Sequence, residues 1–364
     1  MDPTLRYGII GTGMMGVEHI NNILKLPHAI VTAVADNHQE SLDWAQLAVG
    51  LDQPLARFSD YRNLLNADVC DVVVIATPNF THVDVLADVL ATDLHVMVEK
   101  PLCTSVADCQ KVIALQAARA STAPYRCVWM GLEYRYMPPT QRLLAEIRGG
   151  TLGDVRMVAI REHRFPFLPK VDNWNRFNRN TGGTLVEKCC HFFDLMNLVI
   201  GTTPVRVIAS GSQDVNHLDE RYDGERPDIL DNAYVIVEYA DGVRAMLDLC
   251  MFAEASRNEQ EISVIGTVGK AEALVTDGVL RVGLRTGGIG SYTESAITSP
   301  DIHHQGLHHG ASYLEHVAFA DAIRSQQSAA VTLTDGLWSV AIGQAAHQSI
   351  ELGRWVELSE LGLS

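Results

Sequence analysis

Long apolar runs are missing from this 364-residue chain. No stretch approaches the ~18 consecutive apolar residues that a membrane-spanning helix needs, so no membrane partner is expected. The start, Met1-Asp2-Pro3-Thr4-Leu5-Arg6, lacks the basic-then-apolar build of a secretory leader. The apolar run that follows is broken by Gly8, Gly11, Gly13 and Gly16. Paired cysteines are missing too. The count is seven, an odd number, scattered at positions 70, 103, 109, 127, 189, 190 and 250 with no C-x-x-C pair. That excludes a small disulfide scaffold and points to reduced thiols in a cytoplasmic protein. Positive charge is scarce: Lys plus Arg is 28 against 44 Asp plus Glu, a formal net charge of −16. Such a chain repels a phosphate backbone at long range, so nucleic acid is not an expected partner.

What is present is an ordinary globular composition, 47% apolar, which can fill a large core. At roughly 150 residues per domain the length implies two domains. The first third alternates strand-like and helix-like segments: strands at Leu5–Ile10, Ile30–Ala35, Val69–Ala76, Leu94–Val98 and Arg126–Met130, with helices between them. This alternation predicts parallel βαβ units, an α/β Rossmann-type doubly wound sheet over residues 1–126. From about residue 130 the pattern changes. A helix at Pro139–Arg148 leads to a strand at Val155–Glu162, a loop at Phe165–Thr181 and a helix from about Thr184 to Ile200. Strands with little helix between them then run from Val205 to Leu284, with hairpin signals at Asp241-Gly242 and Asp277-Gly278. Residues 127–364 therefore read as an α+β domain with a large, mostly antiparallel, open-faced sheet laid out as a meander. A face left open on such a sheet has to be buried, so a homo-oligomer is expected.

Four motifs carry chemistry. Gly11-Thr12-Gly13-Met14-Met15-Gly16 is G-x-G-x-x-G between a strand and a helix. Gly11 suits the tight turn, Gly13 the close approach of a pyrophosphate, and Gly16 the packing of helix on strand. The helix N-terminus supplies unpaired N–H groups. Asp36, 20 residues past Gly16 at the end of the second strand, stands where a carboxylate binds the ribose hydroxyls of NAD. It would repel a 2′-phosphate, and neither Asn37 nor His38 is an arginine, so NAD is expected over NADP. Ala76-Thr77-Pro78-Asn79 follows the third long strand, where it is either a crevice loop or a turn that leads into the next helix at His82. Glu99-Lys100-Pro101 ends the next strand, where it is either a solvated strand end or faces the same crevice with a lysine that can stabilise an alkoxide.

The fourth motif lies in the second domain. Glu187, His191 and Asp194 occupy i, i+4 and i+7, so one continuous helix would place them on one face. Acid–base chemistry, a satisfied structural histidine and a zinc site all remain open for this cluster, although zinc would need more ligands. Lys188, at i+1 from Glu187, is expected to point elsewhere, and Cys189-Cys190 to pack as small apolar residues. The Phe165–Thr181 loop, with Trp174, suits sugar rings and equally suits a capping or subunit-contact role. Arg135 and His163 are candidate substrate contacts. His303, His304, His308 and His309 form either an exposed loop, a metal group or a cleft edge that lends His309 to a substrate.

G-x-G-x-x-G, A-T-P-N-x-x-H, E-K-P and [DE]-x-x-x-H-x-x-D, in this order, resemble the glucose–fructose oxidoreductase / inositol dehydrogenase (Gfo/Idh/MocA) family over nearly the whole chain. The resemblance implies NAD-dependent oxidation of a secondary alcohol on a sugar, inositol or related polyol, giving a ketone or lactone. It makes Lys100 the catalytic lysine, His191 the general base and Glu187 the acidic partner, where the family more often has Asp. Thr12, Met14, Met15, Thr77, Pro78, Asn79, His82, Glu99 and Lys100 join the glycines and Asp36 as cofactor-binding residues. Lys100, Arg135, His163, Trp174, Glu187, His191 and His309 form the expected substrate set. No metal is expected. The Lys100–Pro101 bond is expected to be cis, and the assembly a homodimer or homotetramer through the C-terminal sheet. Two alternatives stay open: a lyase or glycosidase that uses NAD only transiently, and a non-catalytic cofactor-sensing regulator.

Overall fold

The computed structural model describes residues 3–120 and 125–363. Met1 and Asp2, read above for a leader, lie outside them. The chain divides into two compact units. The first comprises Met1–Glu133, Lys170–Trp174 and Asp301–Leu337; the second comprises Tyr134–Pro169, Asn175–Pro300 and Trp338–Ser364.

The first unit is built on a six-stranded parallel sheet. Its elements run β1 (Leu5–Ile10), α1 (Met14–Ile23), β2 (Ala29–Ala35), α2 (Gln39–Val49), β3 (Ala56–Phe58), α3 (Tyr61–Leu65), β4 (Val72–Ile75), α4 (His82–Leu90), β5 (His95–Glu99), α5 (Val106–Ala120) and β6 (Val128–Gly131). Strand order is β3-β2-β1-β4-β5-β6, the doubly wound arrangement whose direction reverses between β1 and β4. All four residues of β4 are buried, as β-branched side chains covered on both faces should be. The short β3 and α3 carry too little periodicity to be read from the sequence; α3 owes its start to Asp60, whose carboxylate accepts from the Arg62 N–H at 2.9 Å.

In the second unit α6 (Pro138–Arg148) opens with two prolines, which suit the first turn of a helix. There follow β7 (Val155–His163), α7 (Asn178–Thr181), α8 (Thr184–Glu187), α9 (Cys190–Ile200), β8 (Pro204–Ser212), β9 (Asn232–Tyr239), β10 (Arg244–Cys250), β11 (Gln260–Gly266), β12 (Gly269–Leu274), β13 (Val279–Leu284) and β14 (Thr293–Ala296). Then come α10 (Ala311–Ser325), which clusters with the first unit, α11 (Leu333–Leu352) and the two-residue strand β15 (Val356–Glu357). The nine-stranded sheet has the order β14-β13-β12-β11-β7-β10-β9-β8-β15.

Two expectations need correction. The sheet is mostly antiparallel but not a simple meander: β7 sits between β11 and β10 and pairs with β10 in parallel. A parallel pair needs a long crossover, and the segment from α7 to β9 supplies it. The helix expected over 184–200 is two helices, α8 and α9. Phe192 and Phe193 N–H both donate to the Cys189 carbonyl at 3.0 Å, so the chain tightens at this junction. The sheet's alternation is clean: on β10, Ala245, Leu247 and Leu249 are buried while Met246 faces out. On the outer face Met246 stands opposite Ile236, and Met157 opposite Ile265. Together with Tyr234 they form an exposed apolar band across the centre of the sheet.

Candidate functional site

In the first unit the glycine-rich turn leaves β1 at the β1/β4 reversal. Gly11 has φ +87°, and a side chain there would come within 2.6 Å of the Ala76 carbonyl. At Gly16 a Cβ would stand 2.1 Å from the Gly11 carbonyl, so helix α1 approaches the turn too closely for anything but glycine. Gly13 differs: its φ is −69°, and a Cβ would meet nothing within 4 Å. It caps α1 without a side-chain hydrogen bond, so the first N–H groups of the helix face that open space. Met14 and Met15 begin the helix. Thr12 is buried, and its backbone N–H donates to Asp36 Oδ2 at 2.7 Å; the His38 N–H donates to Oδ1 at 2.9 Å. Asp36 is thereby fixed at the end of β2 with acceptor capacity to spare. An open, N–H-lined helix start beside an anchored carboxylate fits a dinucleotide.

The loops after β4 and β5 complete this crevice. Thr77 and Pro78 lead to the buried Asn79. His82 is fully buried, with Nδ1 2.8 Å from the Pro101 carbonyl and Nε2 3.0 Å from that of Thr77. It braces the two loops against each other, and burial lowers its pKa. The Lys100–Pro101 peptide is cis. Glu99 is buried and receives the Lys100 N–H at 3.0 Å and His19 Nε2 at 2.8 Å. Burial works to raise its pKa, but the His19 hydrogen bond and the charges of His19, Lys100 and His308 outweigh that and lower it. His19 Nδ1 in turn lies 2.8 Å from Nε2 of His316 on α10. Burial and the neighbouring His19 hold His316 well below the usual histidine range. Lys100 thus leaves β5 from a backbone pinned by a buried Glu–His–His chain.

In the second unit His191 is the second residue of α9 and is buried. Its imidazole lies flat on the Tyr134 ring, with centroids 3.9 Å apart and planes within 6°. Asp194, one turn on, receives the Arg135 guanidinium in a two-pronged pair, 2.6 Å from Nε. Arg135 and Asp194 are both buried, so the guanidinium ties the segment after β6 to α9. Glu187, also buried, ends α8 instead of sharing one continuous helix with His191. Lys188 turns inward, donating from Nζ to the Tyr134 hydroxyl at 2.9 Å and pairing with Glu162 at 3.1 Å.

The other expected substrate residues are His163, Trp174 and His309. His163 ends β7 with Nε2 3.0 Å from Asp248. Trp174 lies edge-on to Phe80 in the first unit, centroids 6.5 Å apart. His309 is exposed, in a left-handed conformation at φ 54°. Its neighbours have separate partners: His303 with Tyr313, His304 with Glu18, His308 with Glu133 and Ser312. Among the described residues no group of three or more His, Cys, Asp or Glu could hold a metal ion, and no helix is long and apolar enough to cross a membrane. The sequence reading missed His19, His316, Tyr134 and Glu162. His19 alone left a signal, three residues past Gly16 on the α1 face that turns to β5.

Comparison with known proteins agrees with this geometry. Residues 5–123 match the model described as "Oxidoreductase family, NAD-binding Rossmann fold", and residues 145–358 match "Oxidoreductase family, C-terminal alpha/beta domain". The uncharacterized oxidoreductase YrbE of Bacillus subtilis (strain 168) is 26% identical, the alignment covering 96% of both chains. The myo-inositol 2-dehydrogenase of Thermotoga maritima is 25% identical over 98% of this chain and 99% of its own. The structure of scyllo-inositol dehydrogenase from Lactobacillus casei, with bound NAD(H) and scyllo-inositol, superposes with a TM-score of 0.78 at 21% identity, covering 98% of this chain and 99% of that one; it shares the fold. With both halves matched, the chain belongs to the Gfo/Idh/MocA oxidoreductase family, and residues 5–123 match its NAD-binding Rossmann fold.

Proposed function

We propose that this protein is an NAD-dependent dehydrogenase that oxidises a secondary alcohol of an inositol, sugar or related polyol to the ketone or lactone. The observation that carries the reading is that one chain retains the whole acid–base set at the positions the family resemblance assigns: Lys100 after β5, Glu187 ending α8 and His191 on α9. The names of the relatives, inositol dehydrogenases among them, favour a cyclic polyol. A cofactor-sensing regulator has no need of such a set.

In this mechanism two groups act on the substrate hydroxyl. His191 takes the hydroxyl proton as general base. The Lys100 ammonium hydrogen-bonds the same oxygen and stabilises its developing negative charge. Glu187 orients the substrate or tunes His191. The bound dinucleotide supplies the hydride acceptor. Gly11, Gly13 and Gly16 hold its pyrophosphate, with Thr12, Met14 and Met15 around it. Asp36 binds the adenosine ribose and disfavours a 2′-phosphate, so NAD is used over NADP. Thr77, Pro78, Asn79, His82 and Glu99 shape the nicotinamide side. Arg135, His163, Trp174 and His309 complete the substrate surroundings, Arg135 through Asp194. The protein works in the cytoplasm as a homodimer or homotetramer joined through the apolar outer face of the large sheet.

The test is NADH appearance across a panel of inositols, sugars and glycosides, each offered with NAD and with NADP. The expected result is stoichiometric NADH from at least one polyol, and clearly tighter use of NAD. Product formed without net NADH would move the assignment to a transient-oxidation lyase. Lys100→Ala and His191→Ala variants that fold, bind NAD and keep near-wild-type turnover would sink the catalytic roles.

A further inference from the structure

The second unit holds a buried ionic cluster to which the reaction above gives no part. Glu162 on β7 has no exposed side-chain surface and faces two cations, Lys188 at 3.1 Å and Arg164 at 3.2 Å. Glu259 also favours the Arg164 charge, so Arg164 draws on two carboxylates while the Lys188 ammonium pairs with Glu162. Burial, with Arg164 adding to it and Glu162 opposing, lowers the pKa of Lys188. The Lys188 ammonium has a second acceptor, the Tyr134 hydroxyl at 2.9 Å. The Tyr134 ring is the surface on which the His191 imidazole lies, centroids 3.9 Å apart. Ammonium, phenol and imidazole therefore form a series, with the imidazole at its end.

The charges around this series act in different directions. An electron-rich phenol face favours a cation stacked on it, which would favour imidazolium. An ammonium bonded to the phenol oxygen draws electron density from that face and adds positive charge behind it; both effects oppose imidazolium. On the chain segment that carries His191, Glu187 and Asp194 favour imidazolium, but Asp194 is matched by the two-pronged Arg135. Cys189 and Cys190 beside His191 are buried thiols. Glu162 is shared between Lys188 and Arg164.

We propose that Lys188 is a positioning residue for His191 that acts through Tyr134, fixing the plane of the imidazole and opposing its protonation so that it stands ready as a base. The proposal rests on the reading of His191 as the general base. It goes beyond the family resemblance, since Lys188 stands in that motif as a departure.

The test replaces Lys188 with methionine, which keeps most of the stem volume and leaves Glu162 paired to Arg164. In Lys188→Met the acid limb of the kcat/KM pH profile moves up by about 0.5–1 pH unit, so that activity below the wild-type limb falls by about 3–10-fold. Lys188→Arg keeps the limb near its wild-type position. Tyr134→Phe retains the stacked ring and loses the hydroxyl; it moves the limb in the same direction and serves if Lys188→Met does not fold. NMR titration of the His191 imidazole reads the same shift without turnover, so failure of the dehydrogenase reading leaves this measurement standing. A uniform loss of activity across pH, with the limb and the imidazole titration unmoved, would reduce Lys188 to a packing residue and overturn the proposal.

Discussion

The Arg135–Asp194 pair gives the sharpest quantitative expectation. Its two side chains are 8% and 2% exposed, and the guanidinium meets the carboxylate with two parallel hydrogen bonds. Asp194→Ala removes both acceptors and strands a charge that cannot be deprotonated. Breaking a buried pair from one side costs about 3–5 kcal/mol, mostly the desolvation of the partner left behind. For a unit of this size that lowers the melting temperature by roughly 6–20 °C. Removing both charges is a different perturbation. In Arg135→Met/Asp194→Leu no charge is stranded, and the expected stability lies near wild type or about 1–4 kcal/mol above it. The control is Arg156–Asp154, an ion pair at 2.9 Å with side chains 54% and 76% exposed. Asp154→Ala should cost less than about 1 kcal/mol, because water screens that pair. Scanning calorimetry on the three variants decides the matter. If Asp194→Ala melts with wild type, or the double variant is as damaged as the single, burial is not what gives this pair its weight.

Two further expectations use different physics. A Cβ at Gly13 meets nothing within 4 Å, so Gly13→Ala should fold with wild-type stability while occupying the space a pyrophosphate needs; calorimetry should show an unchanged melt, and titration calorimetry at least ~10-fold weaker NAD binding, about 1.4 kcal/mol. Unchanged NAD affinity would remove Gly13 from the cofactor site. His347 on α11 is held by burial at a pKa of about 4, below its ordinary 6.5. Between those values the unfolded chain binds a proton that the folded chain refuses. The stabilisation is therefore complete above pH 6.5 and is lost as pH falls toward 4, roughly 3 kcal/mol in all. His347→Gln can still accept from the Leu185 N–H, which now bonds Nε2 at 3.1 Å, and should flatten that slope in urea titrations at neutral and acid pH. Parallel slopes in the two proteins would refute the assignment.

The parts of the fold that were legible are those in which local pattern and tertiary demand coincide. A short continuous apolar run such as β4, set among alternating helices, fits a covered parallel strand. Gly11, Gly16 and Asp36 announce the crevice because backbone crowding and ribose geometry each admit few residue types. The place of β7 was not legible. The alternation of Val158 and Ile160 reads the same whichever strands stand beside β7.

Lys188 shows why the rest of the candidate site stayed hidden. On an unbroken helix a residue one step past Glu187 turns about 100° away from it, and a lysine so placed reads as solvated. Two facts reverse that reading, and neither is local. The helix breaks between Glu187 and Cys190, which frees Lys188 from the register of α9. A carboxylate on β7, Glu162, is buried and draws the Lys188 ammonium inward besides pairing with Arg164. A buried charge is tolerated only where its partner is already buried, so the two positions specify each other while each looks unremarkable alone. Lys100 and His191 could be singled out by motif because the roles proposed for them constrain residue type at fixed spacing. The residues that hold His191 in place are constrained only by charge balance across 26 positions of chain, from Glu162 to Lys188, and sequence spacing carries no trace of that.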